Sequence, residues 1–284
     1  MRLVILCILL GMSLDTYPQS NRKSKRPGSD PFLKTQWWLG LRAGTNVTKG
    51  VPDESFTSFS PINYSAERNV KSYDGFSKPG IQAGLELAFY TKGITVSLQP
   101  GFATMFYRYT SSYNWSDPAN PSNSLSQTFK VEDNVQVFDL PLLVKYEFLQ
   151  GNIHPFIQVG VYYNLLINAG KKLDVEGIDN ASGSDVPFSG DPIEIGTSDL
   201  YTSSSGGVMG GVGVVYDAGN VRMLFDVNYK YGLSNITQTG ARYSNNQLAS
   251  IGDIQDDLKL QSLWFSLSIQ FPLKFISKNY EAVN

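Results

Sequence analysis

The sequence predicts an all-β fold: a closed, eight-stranded, antiparallel, up-and-down transmembrane β-barrel with short periplasmic turns and long extracellular loops. Three observations carry this expectation. Leu263, Phe265, Leu267, Ile269 and Phe271 are apolar at every second position, with Trp264, Ser266, Ser268 and Gln270 between them. That period of two marks a strand with unlike faces. Seven further stretches repeat the alternation over about ten residues each, the length a tilted strand needs to cross a bilayer. The connections between them alternate long and short with an even strand count, the layout of outer-membrane barrels.

The chain begins with a segment that reads as a secretory signal, residues 1–20. Arg2 supplies the charge, and Leu3 to Leu14 form a twelve-residue apolar core, too short to span a bilayer as a helix. Cys7, the only cysteine, lies inside that core, so the exported chain is expected to hold no disulfide. Residues 21–36 carry Arg22, Lys23, Lys25, Arg26 and Lys34 beside Pro27, Gly28 and Pro31, and read as a flexible basic leader. The barrel domain spans 37–271, and 272–284 is a C-terminal tail. No later segment reaches eighteen consecutive apolar residues, so no transmembrane helix is expected.

The first strand is Trp37 to Val47, with Trp37, Leu39, Leu41, Ala43, Thr45 and Val47 on one face. A polar stretch, Thr48 to Gly80, leads to the second strand, Ile81 to Tyr90. Lys92-Gly93 gives a tight hairpin turn. The third strand runs from Ile94 to about Tyr109. Pro100 within it removes a ladder donor and predicts a local distortion. After a Ser-, Asn- and Pro-rich stretch, 111–134, the fourth strand is Val135 to Phe148, and Gln150-Gly151-Asn152 turns the chain. The fifth strand is Pro155 to Ile167, followed by a third long segment, 168–205. The sixth, Gly206 to Tyr216, and the seventh, Val221 to Tyr231, flank a short turn at 217–220. A fourth long segment, 232–257, precedes the closing strand.

One face of every strand is nearly free of charge. The opposite faces collect Arg42, Glu86, Asp139, Lys145, Glu147, Arg222, Asp226 and Lys230, four of each sign. Isolated charges inside a narrow barrel are costly and paired ones tolerable, so these residues predict an internal ion-pair network with a structural role. An eight-stranded interior is only wide enough to be filled by side chains, so an open pore is not expected. Aromatics at strand ends fit two interfacial belts: Trp37, Phe89, Phe106, Tyr146 and Phe148, with Tyr216, Tyr229, Tyr231 and Phe271.

Four pieces of the sequence resemble the PorT-type outer-membrane β-barrel domains of Bacteroidetes. They are Leu39 to Asn46 (LGLRAGTN), Asp139 to Tyr146 (DLPLLVKY), Pro155 to Gly160 (PFIQVG), and the Gly-rich sixth strand with the seventh. The resemblance covers about Trp37 to Phe271. It implies an outer-membrane barrel and association with type IX secretion or gliding machinery.

The net charge of −2 gives no argument for nucleic acid, which needs a basic surface. His154, the only histidine, is expected as a solvated turn residue with no serine–acid partners, so no catalytic residue is assigned and no enzyme is expected. The third long segment holds Asp174, Glu176, Asp179, Asp185, Asp191, Glu194 and Asp199 without the spacing of a calcium loop, and Asp253 to Asp257 is a similar run. Both read as solvated acidic loops, so no metal or cofactor is assigned. The expected role is structural or interaction-based, in contact with outer-membrane lipid and with protein partners at the external loops. Two alternatives stand beside it: a narrow channel or small-solute transporter, and a soluble lipocalin-like barrel with the apolar faces turned inward around a ligand.

Overall fold

The computed structural model describes residues 35–56, 69–148, 151–181, 184–218 and 221–273. The expected signal segment, Cys7, nearly all of the basic leader and most of the C-terminal tail lie outside the described residues. Among the described residues no helix is long and apolar enough to cross a membrane.

In chain order the strands are β1 (Gln36–Glu54), β2 (Asn69–Tyr73), β3 (Pro79–Thr91), β4 (Ile94–Leu98), β5 (Gly101–Ser116) and β6 (Ser124–Glu147). Then follow β7 (Ile153–Asp179), β8 (Val186–Ser189), β9 (Ile193–Gly196), β10 (Ser204–Ala218), β11 (Val221–Gly232) and β12 (Asp257–Pro272), with one short helix, α1 (Asn246–Ser250), before the last. All pairings are antiparallel within one sheet. They run from β1 to β3, through β4 and β5 to β6, then to β7, β10, β11 and β12. β12 pairs back onto β1, with Leu39 opposite Phe271 and Val47 opposite Leu263, so the ladder forms a ring through eight strands.

Two local expectations can be followed in the backbone. Lys92 and Gly93 both take positive φ, 47° and 86°, which matches the right-handed twist of the flanking strands in a two-residue hairpin. Pro100 interrupts the expected third strand: β4 ends at Leu98 and β5 starts at Gly101, and the ladder partner of β3 changes there from β4 to β5. A glycine is required at Gly160, where a Cβ would sit 2.0 Å from the Leu142 carbonyl oxygen, so only a bare backbone lets β6 and β7 approach.

The ring runs through as many strands as expected, and twelve strands are described because Pro100 splits one wall strand into β4 and β5 and because β2, β8 and β9 form inside segments expected as loops; the long segments are also more ordered than expected. β5 and β6 pair as far as Ser116 and Ser124, so the stretch read as a loop at 111–134 is mostly hairpin. Phe129, Val131, Asp133 and Val135 point inward, and Thr128, Lys130, Glu132 and Asn134 are more exposed, an alternation that polar composition hides. Likewise β7 runs on to Asp179, where it takes β8 and β9 as partners.

The two faces are unlike as expected. Leu41, Ile81, Phe102, Val159 and Leu267 lie on the outside of the ring, and Ile81 is 73 % exposed. Glu86 and Asp226, inside, are both 0 % exposed. The apolar faces therefore point outward. This overturns the lipocalin-like alternative, in which they would line the interior. The outer apolar set ends at Phe106 on β5, Phe138 on β6 and Ile167 on β7; beyond these the outer positions are Arg108, Gln136 and Asn168.

Candidate functional site

The interior holds three layers. At the short-turn half, the eight charges expected there fall into four cross-strand pairs. Arg42 on β1 donates to both oxygens of Asp226 on β11, at 3.1 and 2.7 Å, and to Ser266 Oγ at 2.7 Å. Lys145 on β6 meets Glu86 on β3, which also accepts from Gln99 at 3.1 Å. Lys230 on β11 donates to Asp139 on β6 at 2.6 Å and lies over the Trp264 ring at 3.5 Å. Arg222 Nη1 donates to Glu147 at 3.1 Å, and its Nε donates to Asp217 at 2.8 Å. Each cation thus meets a carboxylate without solvent, the condition under which buried charge is tolerated. His154 departs from its expected place in solvent. It is buried between Glu147 (Nδ1–Oε2 3.3 Å) and Asp217 (Nε2–Oδ2 3.0 Å), because it stands at the inward parity of β7 beside two carboxylates of neighbouring strands. Sequence reading missed Asp217 and His154 as members of this cluster. The signal was there: both sit one residue inside a short turn, at inward parity.

The nine aromatics expected in belts all lie on the outer face. Trp37, Phe89, Tyr146, Phe148, Tyr216 and Phe271 gather at the short-turn end, with Trp37 tilted against Phe89 at 5.0 Å and Tyr146 edge-to-face with Phe148 at 5.1 Å between ring centroids. Phe106, Tyr229 and Tyr231 lie toward the other end.

Above the ion pairs is an apolar layer: Met105, Val135 and Val137 from the wall, Leu258, Leu260 and Trp264 from β12, and Ile236 and Leu248 from the segment between β11 and β12. The third segment adds Ile195, Leu200 and Tyr201. Three voids lined by described interior residues measure about 20, 20 and 10 Å³, room for roughly one water each. A larger open groove of about 510 Å³ lies at β5, β6, β7 and β9, where Lys78, Phe106, Lys172 and Glu194 contribute to its wall.

The candidate site is the third layer, at the long-segment rim. Here the stretch 253–256 turns into the mouth of the ring. Asp253 and Asp256 are 2 % and 1 % exposed, which corrects the expectation of a solvated acidic run. The physical reason is cationic partners from distant strands. Lys171 on β7 donates to Asp253 at 2.9 Å, and Lys71 on β2 donates to Asp256 at 2.9 Å. Tyr109 contacts both Asp253 oxygens at 2.8 Å, and Tyr73 donates to Asp256 at 2.6 Å. The acidic residues of the third segment, Asp174 to Asp199, remain exposed as expected. Asp133 on β6 completes the cluster. Its Oδ1 accepts from Tyr201 at 2.6 Å, Tyr201 is hydrogen-bonded to Tyr107 at 2.6 Å, and Gln255 donates to Tyr107 at 3.3 Å.

Burial governs the protonation of these groups. It pushes the Tyr107, Tyr109 and Tyr201 phenols well above their usual range, so all three act as neutral donors. Burial also acts on Asp253, but Lys171 and Lys71 outweigh it and hold this carboxyl below the usual range. Asp133 has no such cation of its own, and burial pushes it up to about 6. The arrangement offers fixed charge and hydrogen bonds but no nucleophile–base pair, and among the described residues no group of three His, Cys, Asp or Glu side chains could hold a metal ion.

No curated protein matches the chain in sequence. Among solved structures, the chain is similar to Neisserial surface protein A, at 10% identity and TM-score 0.33, over 83% of this chain and 97% of that one. It is similar to outer membrane protein W of E. coli, at 17% identity and TM-score 0.35, over 84% and 97%. It is also similar to the outer membrane protease OmpT of Escherichia coli, at 9% identity and TM-score 0.37, over 84% and 98%. Likeness at this level carries no functional argument. The model of the outer membrane protein beta-barrel domain, by contrast, matches residues 19–238, most of the chain, and on that match this protein belongs to the outer membrane protein β-barrel family and is a protein of the outer membrane.

Proposed function

We propose that this protein is a non-conducting, non-catalytic eight-stranded barrel that presents its long-segment rim outside the cell as an interaction surface. The observation that supports the reading is the side-chain filling of the interior: four ion pairs, an apolar layer and an inturned segment occupy it among the described residues, and the void beside Arg42 and Lys230 measures about 20 Å³. A narrow channel would need that interior to rearrange. In this reading residues 1–20 direct export and are removed, the short turns face the periplasm, the aromatics at the strand ends sit at the two lipid interfaces, and the paired charges hold the wall together. The solvated sheet beyond the apolar outer face, formed by β5 to β8, is the surface on which a partner would dock.

The test is conductance. Purified, refolded protein in planar bilayers is expected to give no current steps at any voltage the membrane withstands. Discrete steps altered by neutralising Arg42 or Glu86 would instead favour the channel.

The resemblance to PorT-type domains makes a type IX secretion or gliding assembly the partner to test. Deleting the gene is expected to leave cargo of that route inside the cell. Normal cargo release in the deletion strain would rule that assembly out.

A further inference from the structure

We infer that the segment joining β11 to β12 is a proton-controlled latch over the mouth of the ring, seated while Asp133 is uncharged and loosened when Asp133 ionises. This goes beyond reading the rim as a docking surface, and conductance does not bear on it.

The dry cluster holds three carboxylates, Asp133, Asp253 and Asp256, against two ammonium groups, Lys71 and Lys171. Lys171 contacts Asp253 at 2.9 Å, and Lys71 contacts Asp256 at 2.9 Å and Asp253 at 3.8 Å. Asp133 receives the Tyr201 hydroxyl on one oxygen, and its Oδ2 has no hydrogen-bond partner among the described residues. The groups that face it are Tyr107 from β5, Lys171 from β7, Tyr201 from the third segment and Asp253 from the latch; Tyr73, Tyr109, Lys71 and Asp256 complete the surroundings. With Asp133 neutral the cluster balances. With Asp133 ionised it carries an excess negative charge in a site closed to water, which is costly.

The geometry decides what gives way. Asp133 is fixed in the wall, paired with Tyr107 of β5 on one side and Lys171 of β7 on the other. Asp253 and Asp256 sit on a stretch with no ladder partner, between α1 and β12. Repulsion therefore acts on the movable carboxylates. The sign is fixed by the seated state. Burial, with Asp253 adding to it, raises Asp133 from 3.8 to about 6 against the pull of Lys171 and Tyr201. When the latch lifts and water enters, the ordinary value returns. A group raised in the seated state favours seating fully below about 3.8, and that contribution is lost as pH rises through about 6. Asp253, lowered in the seated state, contributes above its ordinary value and weakens the seat only in stronger acid. Seating is tightest between these limits.

The experiment is hydrogen exchange on the full refolded chain in detergent micelles. Peptides covering 246–256 are followed at pH 5 and pH 7, corrected for intrinsic exchange, with the β10–β11 hairpin as internal control. Protection of 246–256 is expected to fall about tenfold from pH 5 to pH 7, one pKa unit corresponding to a factor of ten. In Asp133→Asn, which cannot ionise, protection is expected to be no lower than the wild type at pH 5 and not to fall between pH 5 and pH 7. Protection that is independent of pH in the wild type, or an unchanged pH dependence in Asp133→Asn, overturns the proposal. Should that variant fail to fold, Tyr201→Phe removes the hydroxyl that stabilises the Asp133 anion and is expected to move the midpoint to higher pH; an unmoved midpoint overturns it equally.

Discussion

Replacing Asp226 by alanine will lower the stability of the folded protein by about 3–5 kcal/mol, the cost of leaving one partner of a buried ion pair alone. Arg42 would lose both of its bonds to the carboxylate and keep only the Ser266 hydroxyl. Asn228, which donates to the same carboxylate, would lose an acceptor as well. Neither group can turn to solvent, because Arg42 and Asn228 are both buried in a ring whose neighbouring void holds about one water. Removing both charges together, as Arg42→Met with Asp226→Leu, will restore part of the loss, since no buried charge is then left alone, while Asn228 still lacks its acceptor. Urea-driven unfolding from lipid vesicles, followed by tryptophan fluorescence, measures both. A loss below about 1 kcal/mol for Asp226→Ala would mean that water reaches the pair, and the filled interior would have to be abandoned.

Placing an arginine at Val159 is expected to cost about 2–4 kcal/mol, the penalty of a cation at the bilayer midplane on a barrel's outer face. Val159 lies on β7 opposite Val144 of β6 and Gly210 of β10 and is 63 % exposed. The same substitution at Asp174, which is also exposed on β7 but lies beyond the apolar face, is expected to be nearly neutral. In a soluble protein the two positions would behave alike, so the contrast reads the lipid contact directly. Equal, small effects at both sites in vesicle unfolding would show that this face does not meet hydrocarbon.

The parts of this fold that a period of two determines were legible in the sequence. Each of the eight interior charges stands at the parity opposite an apolar face, so its side of the wall follows from arithmetic along one strand. Which cation meets which carboxylate was not legible, because Arg42 and Asp226 are brought together by register around the ring rather than by spacing. The mouth shows the same limit more sharply. Asp253 and Asp256 sit in a Gly- and Asp-containing stretch whose composition is that of a solvated loop, and their burial is decided by Lys71 and Lys171, far away in the chain. Asp133 was hidden differently. It belongs to an alternating run from Phe129 to Val135, but the polar outer residues of that run, Lys130, Glu132 and Asn134, resemble a linker. An outer face in water and an outer face in lipid have the same period and opposite hydropathy, so hydropathy marked where the apolar band stops rather than where the strands stop.

The pairing of β1 with β12 has a consequence for how the molecule is made. β1 must wait for β12, because the ladder that closes onto it begins only at Asp257, some two hundred residues further along the chain. Until then the chain carries two unpaired edges, β1 and β11, each long enough to recruit a stranger. Contacts spanning nearly the whole chain are also slow to form by diffusion alone. The seal is therefore all-or-nothing: a chain truncated before Asp257 keeps most of its residues but lacks the partner that closes the ring onto β1.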